Sequence, residues 1–318
     1  MKKYFVILSI TITFLCSVQS NEPLPILFWH SAGLCEKILK QKNCLILLKE
    51  FQFFCFCVGE SCCEKEFEAY ASVIKRYLGS NTYIKSVQIG TSIKTDKLLS
   101  LTMHPFDQIE AACNDIKTDV NFSNGYNGIG LSQGALLLRG LAQTCNNGPK
   151  MRNLISLAGP QQGVYQYPNC GKIKPILCAG INKLIYSRPT QSLLAPATYW
   201  HDIVEERYLA GSTFLTAINN ELEINEGYRN NLKSLQKLIL VKYDQDTSIV
   251  PNESAFFGYF DSDKNVVPLV LSNLYQLDKL GLKSMDENGK LVFLTAPGAH
   301  LDLNEIWFVE NILLYLRN

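Results

Sequence analysis

Asn127-Gly128-Ile129-Gly130-Leu131-Ser132-Gln133-Gly134-Ala135-Leu136-Leu137-Leu138 is the stretch whose reading decides the fold. Residues 127–131 form a short apolar run of strand character, and residues 133–145, rich in Ala and Leu, read as a helix. Between them Gly130-x-Ser132-x-Gly134 fits a sharp strand-to-helix turn, where side-chain bulk beside the serine is excluded and the hydroxyl is lifted above the sheet edge. A bare match to this pattern is weak, because a serine before a helix is also an ordinary N-cap. With a strand before it and a helix after it, Ser132 is predicted to be a nucleophile.

Working outward, residues 25–30 read as a strand and residues 64–78 as a helix, with Phe67, Tyr70, Ala71, Ile74 and Leu78 on one face. Residues 83–90 read as a strand, residues 107–117 as a helix and residues 154–158 as a second apolar strand. The pattern then turns irregular from about 161 to 236, with prolines at 168, 175, 189 and 196 and helical character around 212–221. Strand character returns at 237–243 and 291–295, and a final helix is expected at 303–316. The alternation predicts an α/β-hydrolase fold: a mainly parallel, doubly wound sheet with a helical cap inserted over about 161–236. Such insertions are where binding specificity is kept.

A chain of 318 residues with 47% hydrophobic content can bury one large core, so a single hydrolase domain over 21–318 is expected. Lys and Arg number 30 against 29 Asp and Glu, which leaves no field to gather nucleic acid or an anionic membrane surface. Met1-Lys2-Lys3, the apolar run from 5 to 16 and the small residues Val18 and Ser20 describe a secretory signal peptide cut after Ser20. The run is shorter than the ~20 residues that a stable transmembrane anchor needs. Export makes disulfides expected.

Of the 11 cysteines, Cys16 leaves with the signal, and Cys35, Cys44, Cys55 and Cys57 fall in one anomalous stretch, residues 34–59. That stretch has neither a helical stripe nor strand alternation, and it interrupts the first strand-turn-helix unit. It reads as a translated intron, with Gly33 joined to Glu60 in the functional protein; a genuine lid loop is the alternative. The six cysteines outside these segments can pair fully.

A serine hydroxyl needs a base within hydrogen-bond reach and an acid to orient that base. On this fold the chain order is Ser, Asp or Glu, His. Of the four histidines only His201 and His300 follow Ser132. His201 lies in the expected cap, whereas His300 follows a strand and precedes the last helix, so His300 is the expected base. Asp244 and Asp246 both end the strand 237–243, and chain order does not separate them. The oxyanion of the intermediate needs two donors: the backbone N-H of Gln133, and one from Ser31 or Ala32 after the first strand. This chemistry calls for no cofactor and no metal.

These residues carry a resemblance to the lysosomal palmitoyl-protein thioesterases. The matching stretches are His30-Ser31-Ala32-Gly33 rejoined to Glu60-Ser61-Cys62-Cys63, Gly125-Tyr126-Asn127 leading into the serine turn, Gln162-Gly163-Val164, Tyr199-Trp200-His201-Asp202, Ile224-Asn225-Glu226, 246–257 and 281–303. The resemblance implies Ser132 as nucleophile, Asp246 rather than Asp244 as acid, His300 as base, and Gln133 with Ala32 as oxyanion hole. The family usually has methionine where Ala32 stands, which leaves the backbone donor intact. It also implies disulfides Cys62 to Cys63, Cys113 to Cys145 and Cys170 to Cys178, and an acyl groove touched by Ile249, Val250 and Trp200. A groove of this kind would gain roughly 0.8 kcal/mol per buried methylene and so prefer long chains. Asn121-Phe122-Ser123 and Asn252-Glu253-Ser254 fit the N-glycosylation pattern.

The expected activity is hydrolysis of palmitoyl thioesters on cysteines of proteins or peptides, in the lysosome or after secretion, by a monomer. The alternatives are a secreted lipase or oxygen-ester hydrolase and an inactive acyl-binding protein on the same scaffold.

Overall fold

A computed structural model of the chain describes residues 23–31, 45–46, 55–56, 65–165 and 184–317. Six strands form one sheet: β1 (Ile26–Trp29), β2 (Ile84–Ser86), β3 (Tyr126–Leu131), β4 (Met151–Leu157), β5 (Lys237–Tyr243) and β6 (Leu291–Ala296). Their spatial order is β6-β5-β4-β3-β1-β2, and every neighbouring pair is parallel. Parallel neighbours need crossovers, and helices supply them: α1 (Lys65–Leu78), α2 (Ile93–Thr102), α3 (Pro105–Thr118) and α4 (Gln133–Thr144). The order reverses between β1 and β3, which makes the crevice at their carboxyl ends the place where an open α/β sheet binds a ligand.

Both faces of the sheet are covered. Ile26 and Phe28 of β1 pack with Tyr70, Val73 and Ile74 of α1 and with Phe308 of the C-terminal helix Glu305–Asn311. Leu27 and Trp29, on the opposite pleat, pack with Ile109, Ala112 and Ile116 of α3 and Leu137 and Leu141 of α4. Each aliphatic side chain fully buried in this way contributes ~1.5–3 kcal/mol before the entropy of ordering it is subtracted.

The expected helices and strands are met closely at β1, α1, α3, α4, β5 and β6, and β4 begins three residues before the strand read over 154–158; three other elements differ more. The strand read over 83–90 spans only Ile84–Ser86. The backbone beyond it leaves the ladder, and the N-H groups of Ile89 and Gly90 donate to Asp96 Oδ1 at 2.6 and 3.2 Å. Helix α2 itself was not anticipated; Ser92 and Thr95 cap it reciprocally. The last helix is shorter than 303–316, running over Glu305–Asn311 before a 3-10 turn at Leu313–Tyr315.

Between β4 and β5 the described chain is helical, with segments Arg188–Leu193, Ala195–Thr198, Glu205–Gly211, Leu215–Ile218 and Glu226–Lys233. Within the anomalous stretch, Leu45–Ile46 and Cys55–Phe56 pair antiparallel. The expected signal peptide, the joint from Gly33 to Glu60, Ala32 and cysteines 62, 63, 170 and 178 lie outside the described residues. No helix among the described residues is long and apolar enough to cross a membrane.

The two glycines of the turn are required by packing. A Cβ on Gly130 would come within 2.3 Å of Ala135 Cα, and one on Gly134 within 2.3 Å of the Trp29 carbonyl oxygen and 2.4 Å of that of His30. These neighbours are backbone and cannot swing aside. Gly134→Ala is therefore expected to lower unfolding free energy by about 3 kcal/mol, as core overpacking does. Chemical denaturation checks this, and an unchanged midpoint would show that the close approach of α4 to the β1 loop is not needed.

Candidate active site

Ser132 sits between β3 and α4 with φ 50° and ψ −118°, a backbone conformation costly for any residue but glycine. The turn is held from both sides. Its N-H donates to the Leu157 carbonyl at 2.8 Å, and its own carbonyl accepts from Ala135 N at 3.0 Å as α4 begins. These bonds from both sides hold the strained backbone in place, and Ser132 stays half-buried.

The two aspartates that chain order leaves equivalent have different partners in the loops after β5 and β6. His300 Nδ1 lies 2.7 Å from Asp246 Oδ2, and the other carboxylate oxygen of Asp246 accepts from the N-H groups of Ser248 at 2.8 Å and Ile249 at 3.1 Å. Asp246 is thus fully engaged and its side chain is 2% exposed, while that of His300 is 21% exposed. The carboxylate is shielded while the ring it contacts remains reachable. Asp244 does other work: it is exposed, and its Oδ1 accepts from Gly298 N at 2.8 Å, shaping the loop that carries His300. Gly298 has φ +108°, which explains a glycine at that bend. Ser132, Asp246 and His300 all follow carboxyl ends of strands in one parallel sheet.

His201 sits in surroundings unlike those of His300. Its ring is stacked between Tyr208 and Tyr259, at centroid distances of 3.6 and 3.8 Å, and Nδ1 donates to the Gln162 carbonyl at 2.8 Å. Burial pushes its pKa down to about 4, so the ring is a neutral packing element.

Gln133 opens α4, and the N-H of a first-turn residue has no partner within its helix. That leaves it available, with the helix dipole, to a developing negative charge. The end of β1 runs close to this helix start, next to Gly134. His30, at the end of β1, is 3% exposed; its Nδ1 is 3.1 Å from the Ser31 carbonyl and its Nε2 is 3.3 Å from Asp96 Oδ2 of α2. This buried pair ties the β1 loop to α2. Among the described residues no group of three His, Cys, Asp or Glu could hold a metal ion.

Of the three residues expected at an acyl groove, Val250 and Trp200 meet around Val164 and Tyr165. Val164 forms a β-bridge with Trp200, Tyr165 N donates to the Val250 carbonyl at 2.8 Å, and the rings of Tyr165 and Trp200 are 6.2 Å apart. Trp200 and Ile249 belong to the same buried apolar cluster. Behind them lies a polar network that the sequence reading missed. Arg139 of α4 is fully buried and donates to Gln161 Oε1 at 2.6 Å, Asn219 Oδ1 at 2.8 Å and Gln143 Oε1 at 3.1 Å, with Phe257 beneath its guanidinium. Burial lowers its pKa to about 9, which still leaves it charged at neutral pH. A lone arginine in an Ala- and Leu-rich helix was the available signal, since unpaired charges are almost never fully buried.

A disulfide joins Cys113 of α3 to Cys145, just past α4, as the resemblance implied. Asn121 is exposed, and its amide donates to Asp119 Oδ1 at 2.8 Å. Asn252 is half-buried, and the hydroxyl of Ser254 in its sequon is buried and donates to the Gly163 carbonyl at 2.6 Å.

The family model for palmitoyl protein thioesterases matches residues 25–300. Palmitoyl-protein thioesterase 1 of Caenorhabditis elegans is 37% identical over 263 residues, covering 80% of this chain and 88% of the worm protein. Palmitoyl-protein thioesterase 3 of Dictyostelium discoideum is 34% identical over 247 residues, covering 74% and 82%. A lysosomal thioesterase PPT2 homolog of Drosophila melanogaster is 33% identical over 176 residues, covering 54% and 60%. With its matched span running from the first strand to the histidine loop, the chain belongs to the palmitoyl protein thioesterase family.

Proposed function

We propose that the protein hydrolyses long-chain fatty acyl thioesters, palmitoyl above all, on cysteines of proteins or peptides, through an acyl-enzyme on Ser132. The observations that carry the reading are the 2.7 Å contact of His300 Nδ1 with the shielded carboxylate of Asp246 and a serine held on a strained turn after another strand of the same parallel sheet. With Nδ1-H given to Asp246, the neutral ring keeps its lone pair on Nε2. His300 Nε2 takes the Ser132 proton as Oγ attacks the acyl carbon, and Gln133 N-H receives the charge that develops on the carbonyl oxygen, together with a donor at Ala32. Collapse of the tetrahedral intermediate breaks the C-S bond, and the imidazolium returns its proton to the departing cysteine sulfur. Water, deprotonated by the same Nε2, then attacks the acyl carbon and releases the fatty acid with Ser132 restored.

A thiol is far more acidic than an alcohol, so C-S cleavage demands less of the general acid than C-O cleavage does. Long chains are favoured if Ile249, Val250 and Trp200 line the acyl groove. Each buried methylene then multiplies kcat/KM about fourfold, at ~0.8 kcal/mol apiece. Delivery to the lysosome is part of the proposal and draws on the lysosomal thioesterases among the relatives.

Side-by-side turnover of a palmitoyl thioester, a short-chain thioester and the matching palmitoyl oxygen ester tests it. The palmitoyl thioester is expected to show the highest kcat/KM. Faster turnover of the oxygen ester would assign a lipase-type esterase, and no turnover with no labelling of Ser132 by a fluorophosphonate would assign an acyl-binding protein.

A further inference from the structure

The side chain of Gln133 is gripped at both ends. Its Nε2 donates to the Ser100 carbonyl of α2 at 2.8 Å, and its Oε1 accepts from the hydroxyl of Tyr199 at 3.0 Å. Gln133, Ser100 and Tyr199 are all buried. The Ser100 carbonyl lies in the last turn of α2, where carbonyls lack helical partners. It is shared with Gln108 Nε2 of α3 at 3.3 Å, which also donates to the Met103 carbonyl at 2.8 Å. Tyr199 is anchored in turn, since its carbonyl accepts from Val164 N at 3.1 Å. A short amide side chain held by two fixed partners leaves its own backbone little freedom, and the backbone N-H of this residue is the proposed oxyanion donor.

We propose that Tyr199 is a positioning residue for catalysis. By holding Gln133 Oε1 against the pull of Ser100, it fixes the direction of the Gln133 N-H toward the tetrahedral oxyanion. The segment between β4 and β5 thereby completes the oxyanion hole from outside the sheet. This rests on the acyl-enzyme reading above. It requires no contact between Tyr199 and the substrate, so the hydroxyl acts on the transition state and not on ground-state binding.

Tyr199→Phe in the full chain removes one oxygen and keeps the ring. Loss of a single buried hydrogen bond of ~1 kcal/mol corresponds to a roughly fivefold fall in kcat for a palmitoyl thioester, with KM unchanged. The rate of Ser132 labelling by a fluorophosphonate, whose phosphoryl oxygen enters the same hole, should fall by a similar factor. Gln133→Met, which breaks both grips from the other end, should reproduce the loss, and adding Tyr199→Phe to it should cost nothing further. An unchanged kcat and labelling rate in Tyr199→Phe would overturn the inference, as would an undiminished effect in the Gln133→Met background. A wild-type chain that fails to turn over thioesters but is still labelled at Ser132 would overturn the thioesterase reading alone, with the labelling rates still deciding the role of Tyr199.

Discussion

Ser132→Ala is expected to lower kcat for a palmitoyl thioester by roughly 10⁵- to 10⁶-fold while leaving the melting temperature near that of the parent. Groups of a serine triad act as a unit, so removing the nucleophile costs about as much as removing every member. For the same reason Ser132→Ala with His300→Ala should be scarcely less active than either single variant. Alanine adds no bulk to the turn and carries the same backbone strain as serine, so the fold should be kept. Steady-state kinetics of the purified variants, with circular dichroism as the check on folding, give the answer. Near-additive losses in the double variant would mean that the serine and the histidine do not act together.

Asp246→Asn is expected to lower kcat by about 10⁴-fold with little effect on KM, since asparagine preserves shape but presents the wrong hydrogen-bonding pattern to His300. An amide NH₂ in the Oδ2 position would force Nδ1 to accept, moving the proton to Nε2, where it blocks removal of the Ser132 proton. Asp244→Asn makes the contrast. Asp244 Oδ1 contacts only the loop, through Gly298 N, and asparagine can still accept there, so its loss should be less than about tenfold. Equal losses in the two variants would contradict the assignment of Asp246 as the acid.

The local parts of this site were legible in the sequence because their causes are local. Gly130 and Gly134 announce a turn that excludes side chains, and the distances to Ala135, Trp29 and His30 give the reason. The strand 237–243 was read to the residue, because its run of Leu, Ile and Val is buried on both faces of a parallel sheet. What escaped notice depends on partners distant in the chain. Asp244 and Asp246 are equivalent in chain order, so only the family resemblance favoured Asp246, and the contact that distinguishes it is with His300, 54 residues on. Asp96 reads as one acid among many polar residues, yet it draws Ile89 and Gly90 out of the β2 ladder and faces His30. Helix α2 carried a readable signal in Ser92 and Thr95, but its β-branched residues and lack of a clear apolar stripe hid it. The grip of Tyr199 on Gln133 spans 66 residues and has no local signature.

The measurement that bears most directly on the acyl-enzyme is mass spectrometry of the full chain, acid-quenched within its first turnovers of a palmitoyl thioester and digested to peptides. The account predicts a palmitoyl increment on the peptide containing Ser132, in the parent protein and more abundantly in a variant slowed at deacylation, and none in Ser132→Ala. A palmitoyl group on any other side chain, or brisk hydrolysis by Ser132→Ala, would contradict it.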